Sequence, residues 1–268
     1  FKLRFDEKQE TQGASVEVGE TNNETTKQAK NKIREMIEEG DVQLQFDFSD
    51  PEDFDKSWNT MKKNHISVMR ILGWIAGKET LKEVADMVCQ AIIDEDRDIL
   101  GLLPGFQYIP DYIYDKNEID PIETNKFFAQ LALVNDKDKI IDVISKDLYL
   151  FNEKKGDVRI SKLGATKYVD ALPIDRLTGV DKIFLPAVGK PRLLGCLIDR
   201  LVSLGQSHEQ IVDRLMLFDR NSLNLKIAQK LFDLPDQICY NITGDEIEFL
   251  ENKMKDFKIN LMVGNPPF

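Results

Sequence analysis

The sequence predicts an α/β protein in which a mainly helical part leads into the first half of a doubly wound parallel sheet at about residues 181–268. Three observations predict it. From Asp181 the chain runs strand, turn, helix, and then repeats that pattern, as α/β sheets do. Between residues 54 and 180 the apolar side chains recur mostly at helical spacing instead. Finally, the apolar run Ile259-Asn260-Leu261-Met262-Val263 leads straight into Gly264-Asn265-Pro266-Pro267-Phe268. Two consecutive prolines neither continue a ladder nor enter a helix interior. The chain therefore leaves the sheet there as a stiff, extended turn at a strand's carboxyl end, the edge where open α/β sheets bind ligands.

Composition narrows the function classes. The 268 residues suit one large domain or two modest ones, and 42% hydrophobic with 31% charged residues suits a globular chain in water. No apolar run approaches the ~18–20 residues of a membrane span, so no membrane partner is expected. Phe1-Lys2-Leu3-Arg4-Phe5 alternates rather than forming a signal-peptide core, and without an initiator Met the numbering is expected to begin inside a longer protein. Cys89, Cys196 and Cys239 are widely spaced, which supports neither a disulfide framework nor a Cys-rich zinc site. A reducing cytoplasm is the expected compartment. His65 and His208 are the only histidines and lie far apart, which argues against a His-based metal site or a Ser-His triad. The net charge of −11 opposes a uniformly basic nucleic-acid coat. Residues 1–60 hold 8 Lys/Arg against 15 Asp/Glu, whereas the remainder holds 28 against 32, which leaves room for a local basic face.

Residues 1–53 read as an acidic arm, with 1–24 polar and mobile and a short strand at 1–5. Within it, residues 25–39 form a helix with Ile33, Met36 and Ile37 on one apolar side and Gly40 as its stop. Residues 42–48 alternate as a half-buried strand, and the acidic turn at 49–53 opens the next helix. A mainly helical domain over 54–180 follows, with helices up to Gly77 and at 80–93, 124–134 and 137–145. Residues 100–120, with Gly101, Pro104, Gly105 and Pro110, read as a structured loop, 148–151 as a short apolar stretch and 152–160 as a polar turn.

In the last part, Lys182-Ile183-Phe184-Leu185 is a short buried strand and 186–191 its turn. An amphipathic helix at 192–204 ends at Gly205, and 208–212 leads to a second strand, 215–218, closed by Asp219. Ser222 is the expected N-cap of a helix running to Phe232. A third strand at 238–242 precedes Gly244-Asp245, and a fourth at 259–263 precedes Asn265. Arg192, Arg200, Arg214 and Arg220 read as a solvated face.

Asn265-Pro266-Pro267-Phe268 after a β-run resembles motif IV of the amino-methyltransferases, in the form typical of DNA N6-adenine methyltransferases of restriction–modification systems. The resemblance covers about residues 181–268 and implies a Rossmann-like methyltransferase sheet, S-adenosylmethionine as cofactor and double-stranded DNA as partner. It implies that Pro186, Ala187 and Gly189 form the cofactor loop and that Asp219 accepts hydrogen bonds from the ribose hydroxyls. Asp245 would sit near the adenine of the cofactor. Asn265 and the Pro266 carbonyl would accept from the target amine, with Pro267 stiffening the turn and Phe268 stacking on a base flipped from the duplex. It also assigns the segment 162–178, with Gly164-Ala165-Thr166-Lys167-Tyr168, to closure over the methionine end of the cofactor. The chemistry needs no strong base. Two acceptors aimed at an exocyclic amine localise its lone pair, and orientation toward the sulfonium methyl does the rest.

The chain departs from the family's D-P-x-x-G-x-G loop at two positions. Leu185 stands where an acid is usual, and Pro191 where a second glycine is expected; Lys190 adds positive charge beside a positively charged cofactor. Each change weakens cofactor binding. They motivate the alternative of a catalytically inactive methyltransferase-like binding or assembly protein. The family's later strands are not in the sequence, so the chain is expected to be a fragment, completed by the rest of the same protein or by another subunit.

Overall fold

Strands whose side chains are buried on both faces belong in a covered parallel sheet, and residues 182–185 and 215–219 are such strands. The computed structural model describes residues 21–42, 51–103, 105–113, 121–147, 160–179, 182–241, 252, 257 and 259–264. Its strands are β1 (Lys182–Leu185), β2 (Leu215–Asp219), β3 (Cys239–Asn241) and β4 (Ile259–Met262). Among the described residues they form one four-stranded sheet, parallel throughout, in the order β3-β2-β1-β4. The order runs outward from β1 to β3, then reverses to set β4 on the other side of β1. The chain is thus mixed α/β with a small parallel sheet. The third strand starts one residue later than expected, because residues 236–238 form a 3₁₀ turn ahead of Cys239.

The two sheet faces have different cores. Ile183, Leu185, Leu215 and Leu217 point to one face and join the main buried cluster. That face is covered by α10 (Arg192–Ser203) and α12 (Ser222–Phe232), through Leu194, Leu197, Leu223 and Ile227. Between them α11 (His208–Arg214) leads into β2. Phe184, Met216 and Phe218 point the other way, joined by Tyr240, Phe257 and Ile259. Their rings meet edge-on at 5.0 Å between Phe184 and Phe218, and stack at 4.9 Å between Phe218 and Tyr240. The β1–β4 register shifts between Lys182 and Ile183, so Ile259 pairs with Lys182 but Leu261 with Ile183. A one-residue bulge inverts facing. Ile259 therefore packs with the aromatic cluster while Leu261 packs with the main one.

The helical part comprises α1 (Thr21–Glu38), α2 (Pro51–Ile75), α3 (Leu81–Ile93), α4 (Arg97–Leu100), α5 (Ile109–Tyr112), α6 (Pro121–Ala132), α7 (Lys137–Asp147), α8 (Lys162–Asp170) and α9 (Ile174–Thr178). Ile33 and Met36 of α1 are buried, but Ile37 is exposed. Gly40 ends that helix at φ +83°, as its sequence position demands. Thr80 and Glu83 close a capping box on α3. The expected loop after residue 100 contains, in its described parts, a 3₁₀ turn at Phe106–Tyr108 and the short α5. Pro110 fits there because the first helical turn needs no N–H from it. Leu103, Ile109 and Ile113 carry this segment into the core.

The arginines expected on a solvated face divide. Arg214 is buried and donates to the carbonyls of Arg176 and Leu177 at 2.9 and 2.7 Å and to Gln206 Oε1 at 2.7 Å. It completes the carboxyl end of α9, where a cation is favoured. The Arg192 guanidinium pairs with Asp142 of α7. Arg220 alone of the four stays exposed. No helix among the described residues is long and apolar enough to cross a membrane. The strand expected at 42–48, apart from Val42, and the stretches at 148–151 and 152–159 lie outside the described residues, as does the arm before residue 21.

Two consequences are measurable. A Cβ at Gly73 of α2 would lie 2.3 Å from Val84 Cγ2 and 3.0 Å from Phe128 Cζ. Val84 is stiff and buried, so Gly73→Ala lowers stability by about 1–3 kcal/mol in urea unfolding despite alanine's better helix propensity. Arg70 bonds Asp147 Oδ1 at 3.0 Å and Thr124 Oγ1 at 3.1 Å, tying α2 to α6 and α7. Burial pushes the Asp147 carboxyl above its ordinary range, and Arg70 opposes that rise. A raised folded-state value gives stability that is present at acid pH and lost as pH rises through it. Arg70→Met raises the Asp147 carboxyl further in an NMR titration. The variant's deficit against wild type grows from acid to neutral pH, reaching about 2–3 kcal/mol.

Candidate functional site

In a parallel sheet every strand presents its carboxyl end to the same edge, so the strand ends at Leu185, Asp219, Asn241 and Met262 share one rim. The strand order reverses between β1 and β4, and the rim at such a reversal is the usual place for a ligand in a parallel sheet.

The first wall is the loop 186–191. Pro186 and Ala187 are half-buried, while Val188 is buried. The Val188 N–H donates to the Phe218 carbonyl at 3.0 Å, extending the β1–β2 association past the strand. Gly189 then turns with φ +53°, a left-handed conformation that favours glycine. That turn directs its N–H to Asp219 Oδ2 at 2.6 Å. Pro191 is the N-cap residue of α10, a place that tolerates a residue without an N–H. Leu185, at the position where the sequence resemblance calls for an acid, is buried in the main core.

Asp219 is only 7% exposed. Its second oxygen, Oδ1, accepts from the Asn221 N–H at 2.8 Å and from Asn224 Nδ2 at 3.2 Å. One carboxylate therefore joins the loop after β1 to the amino end of α12, where negative charge is favoured. Asn221, not the expected Ser222, caps that helix by accepting from the Leu223 N–H at 3.0 Å. Asparagine is a strong N-cap and sits one residue ahead of the first helical turn. Asn241 closes the β3 side by donating to the Asp219 and Arg220 carbonyls at 3.1 and 3.2 Å. Asn224 is 4% exposed, and its Oδ1 is buried with no hydrogen-bond partner among the described residues.

The opposite wall is the end of β4. The Val263 N–H donates to the Phe184 carbonyl at 2.9 Å, and Val263 is fully buried. The Gly264 carbonyl accepts from the Tyr168 hydroxyl at 3.2 Å. Tyr168 lies on α8, which packs along α10 through buried Ala165 and Val169, with Thr166 Oγ1 3.7 Å from Cys196 Sγ. The segment singled out around Lys162 thus borders both walls.

Of the sequence-derived site residues, Pro186, Ala187, Gly189 and Asp219 come together at this rim, with Gly189 and Asp219 in direct contact. Asp245, Asn265, Pro266, Pro267 and Phe268 lie outside the described residues, although Gly264 immediately precedes Asn265. The sequence reading did not single out Asn224 or Asn241. Asn224 lies five positions after Asp219, close enough for a helix beginning at Ser222 to return it to the carboxylate.

These groups suit binding and orientation rather than acid–base chemistry. His65 is buried in α2, and His208 bonds the Phe232 carbonyl at 2.9 Å. Burial pushes the Cys239 thiol up to about 12, which leaves it unreactive at neutral pH. Among the described residues no group of three or more His, Cys, Asp or Glu side chains is placed to hold a metal ion. No protein-family model, curated protein or solved structure matches the chain.

If Asp219 holds the loop, Asp219→Ala leaves the Gly189 and Asn221 N–H groups without their acceptor. Hydrogen exchange then accelerates over residues 186–191 and at the start of α12, and stability falls by about 1–3 kcal/mol.

Proposed function

We propose that the chain is part of an S-adenosylmethionine-dependent DNA adenine-N6 methyltransferase built on a Rossmann-like sheet. One observation carries the reading. The glycine loop after β1 and the Gly264 that introduces Asn-Pro-Pro-Phe stand at the carboxyl ends of two neighbouring parallel strands on either side of the order reversal. A cofactor held by the first would present its methyl group toward an amine held by the second.

In this reading Pro186, Ala187 and Gly189 supply the backbone-lined bed for the methionine end of the cofactor. Asp219 receives the ribose hydroxyls while it also holds Gly189. Asp245 borders the cofactor adenine. Asn265 and the Pro266 carbonyl hold the two N–H groups of the target amine, and Phe268 stacks on the extruded base. Orientation then supplies most of the rate, in keeping with a rim that has no described histidine. Lys190 and Arg220 follow β1 and β2 at the same rim and offer positive charge to a DNA backbone, in a chain that is acidic as a whole.

A second reading, an inactive methyltransferase-like binding or assembly protein, is favoured by the state of Asp219. Its carboxylate is almost fully buried and already receives three protein N–H donors. A diol must share or displace them.

Calorimetric titration with S-adenosylmethionine separates the two. The enzyme reading expects micromolar binding to the full-length protein that contains this chain, lost in Asp219→Ala and kept in Asn265→Ala, with methyl transfer to adenine in duplex DNA abolished in both variants. Absence of heat at millimolar cofactor, with the folded state verified by circular dichroism, overturns it in favour of the scaffold.

A further inference from the structure

The strand that carries the Asn-Pro-Pro-Phe turn belongs to the last quarter of the chain, yet the described side chain that bonds its end comes from the helical part. The Tyr168 hydroxyl donates to the Gly264 carbonyl at 3.2 Å across 96 residues of sequence. A hydrogen bond to that carbonyl acts on more than one atom. The carbonyl of residue 264 and the N–H of residue 265 belong to one rigid peptide plane. Holding the carbonyl therefore holds the whole peptide group at the strand end.

Tyr168 is itself held from the other side. Its helix α8 buries Ala165 and Val169 against the core shared with α10, the helix that follows the loop after β1. Lys162, at the start of α8, pairs with Asp138 of α7. Tyr168 is 38% exposed and lies outside the buried cluster. A partly exposed tyrosine whose hydroxyl reaches a strand-end carbonyl at the rim is placed for orientation rather than packing.

We propose that Tyr168 is a positioning residue: anchored to α10 through α8, it holds the Gly264 carbonyl at the end of β4, the point from which Asn-Pro-Pro-Phe follows in sequence. This rests on the methyltransferase reading for its consequence, but not for the contact itself. Tyr168 touches neither substrate nor cofactor in this role. Its effect belongs in turnover and not in cofactor affinity.

The test is Tyr168→Phe, which keeps the ring and removes the donor, with Leu163→Ala on the same helix as control. Leu163 is 65% exposed and takes no part in the contact. Hydrogen exchange of the peptide covering residues 259–268 accelerates several-fold in Tyr168→Phe, while the α8 peptide and the control variant match wild type. In methyl-transfer assays kcat falls about tenfold, as for one lost orienting hydrogen bond. The cofactor dissociation constant stays within about twofold of wild type, a change too small to count as a lost contact. Unchanged exchange at residues 259–268 overturns the proposal. A weakened cofactor affinity with kcat preserved also overturns it, since Tyr168 would then contact the cofactor. Should wild type transfer no methyl group, the enzyme reading fails by itself, and the exchange comparison still decides whether Tyr168 holds the strand end.

Discussion

The rim of this sheet depends on one buried carboxylate. An acid taken out of water is costly unless its oxygens are hydrogen-bonded. Asp219 meets that requirement with Gly189 from the loop after β1 and with Asn221 and Asn224 from the approach to α12 and its first turn. The requirement works in both directions. The acid needs those donors, and the donors, arranged by a left-handed glycine and by a helix start, need an acceptor at that point. Asn241 then ties the adjoining strand end to the same backbone. The ends of β1, β2 and β3 are thereby one hydrogen-bonded unit.

The departures from the methyltransferase loop look different in this setting. An acid at the end of β1 would orient the loop from its own strand. Here Leu185 fills the core at that position and the orienting carboxylate arrives from β2 instead. Pro191, where the resemblance expects a glycine, takes the N-cap position of α10, and the helix makes no demand on its missing N–H. The loop keeps a defined shape by other means, at the expense of committing Asp219 to structural donors. That commitment is the physical core of the choice between an enzyme and a scaffold.

The helical part is more than an appendage. The main buried cluster runs continuously from α1 to the sheet face under α10 and α12. Arg214 joins the end of α9 to the entry of β2, Arg192 reaches Asp142 on α7, and Tyr168 reaches the end of β4. The Arg214 link is buried, whereas those of Arg192 and Tyr168 lie at the surface, and each specifies direction as well as attraction. The helices thus fix where the two walls of the rim stand.

Much of this was legible in the residues themselves. The buried strands at 182–185 and 215–219, the helix stop at Gly40 and the strand beginning at Ile259 were all readable from apolar runs and a glycine's place. Strand, turn and helix follow from local period and local stereochemistry, which a sequence states directly. What the sequence left open was which distant groups meet. Arg214 reads as solvated until the carbonyls of α9 are found beside it, and Ile259 and Leu261 share a face until the bulge between them is seen. No local pattern announces the three donors that meet Asp219 from Gly189, Asn221 and Asn224. Tyr168 and Gly264 have no pattern linking them at all. Hydrogen-bond partners are chosen by proximity in space, and proximity between distant segments is set by packing. The sequence by itself determined the elements and the rim they share; only the tertiary structure decided which side chains hold that rim in place.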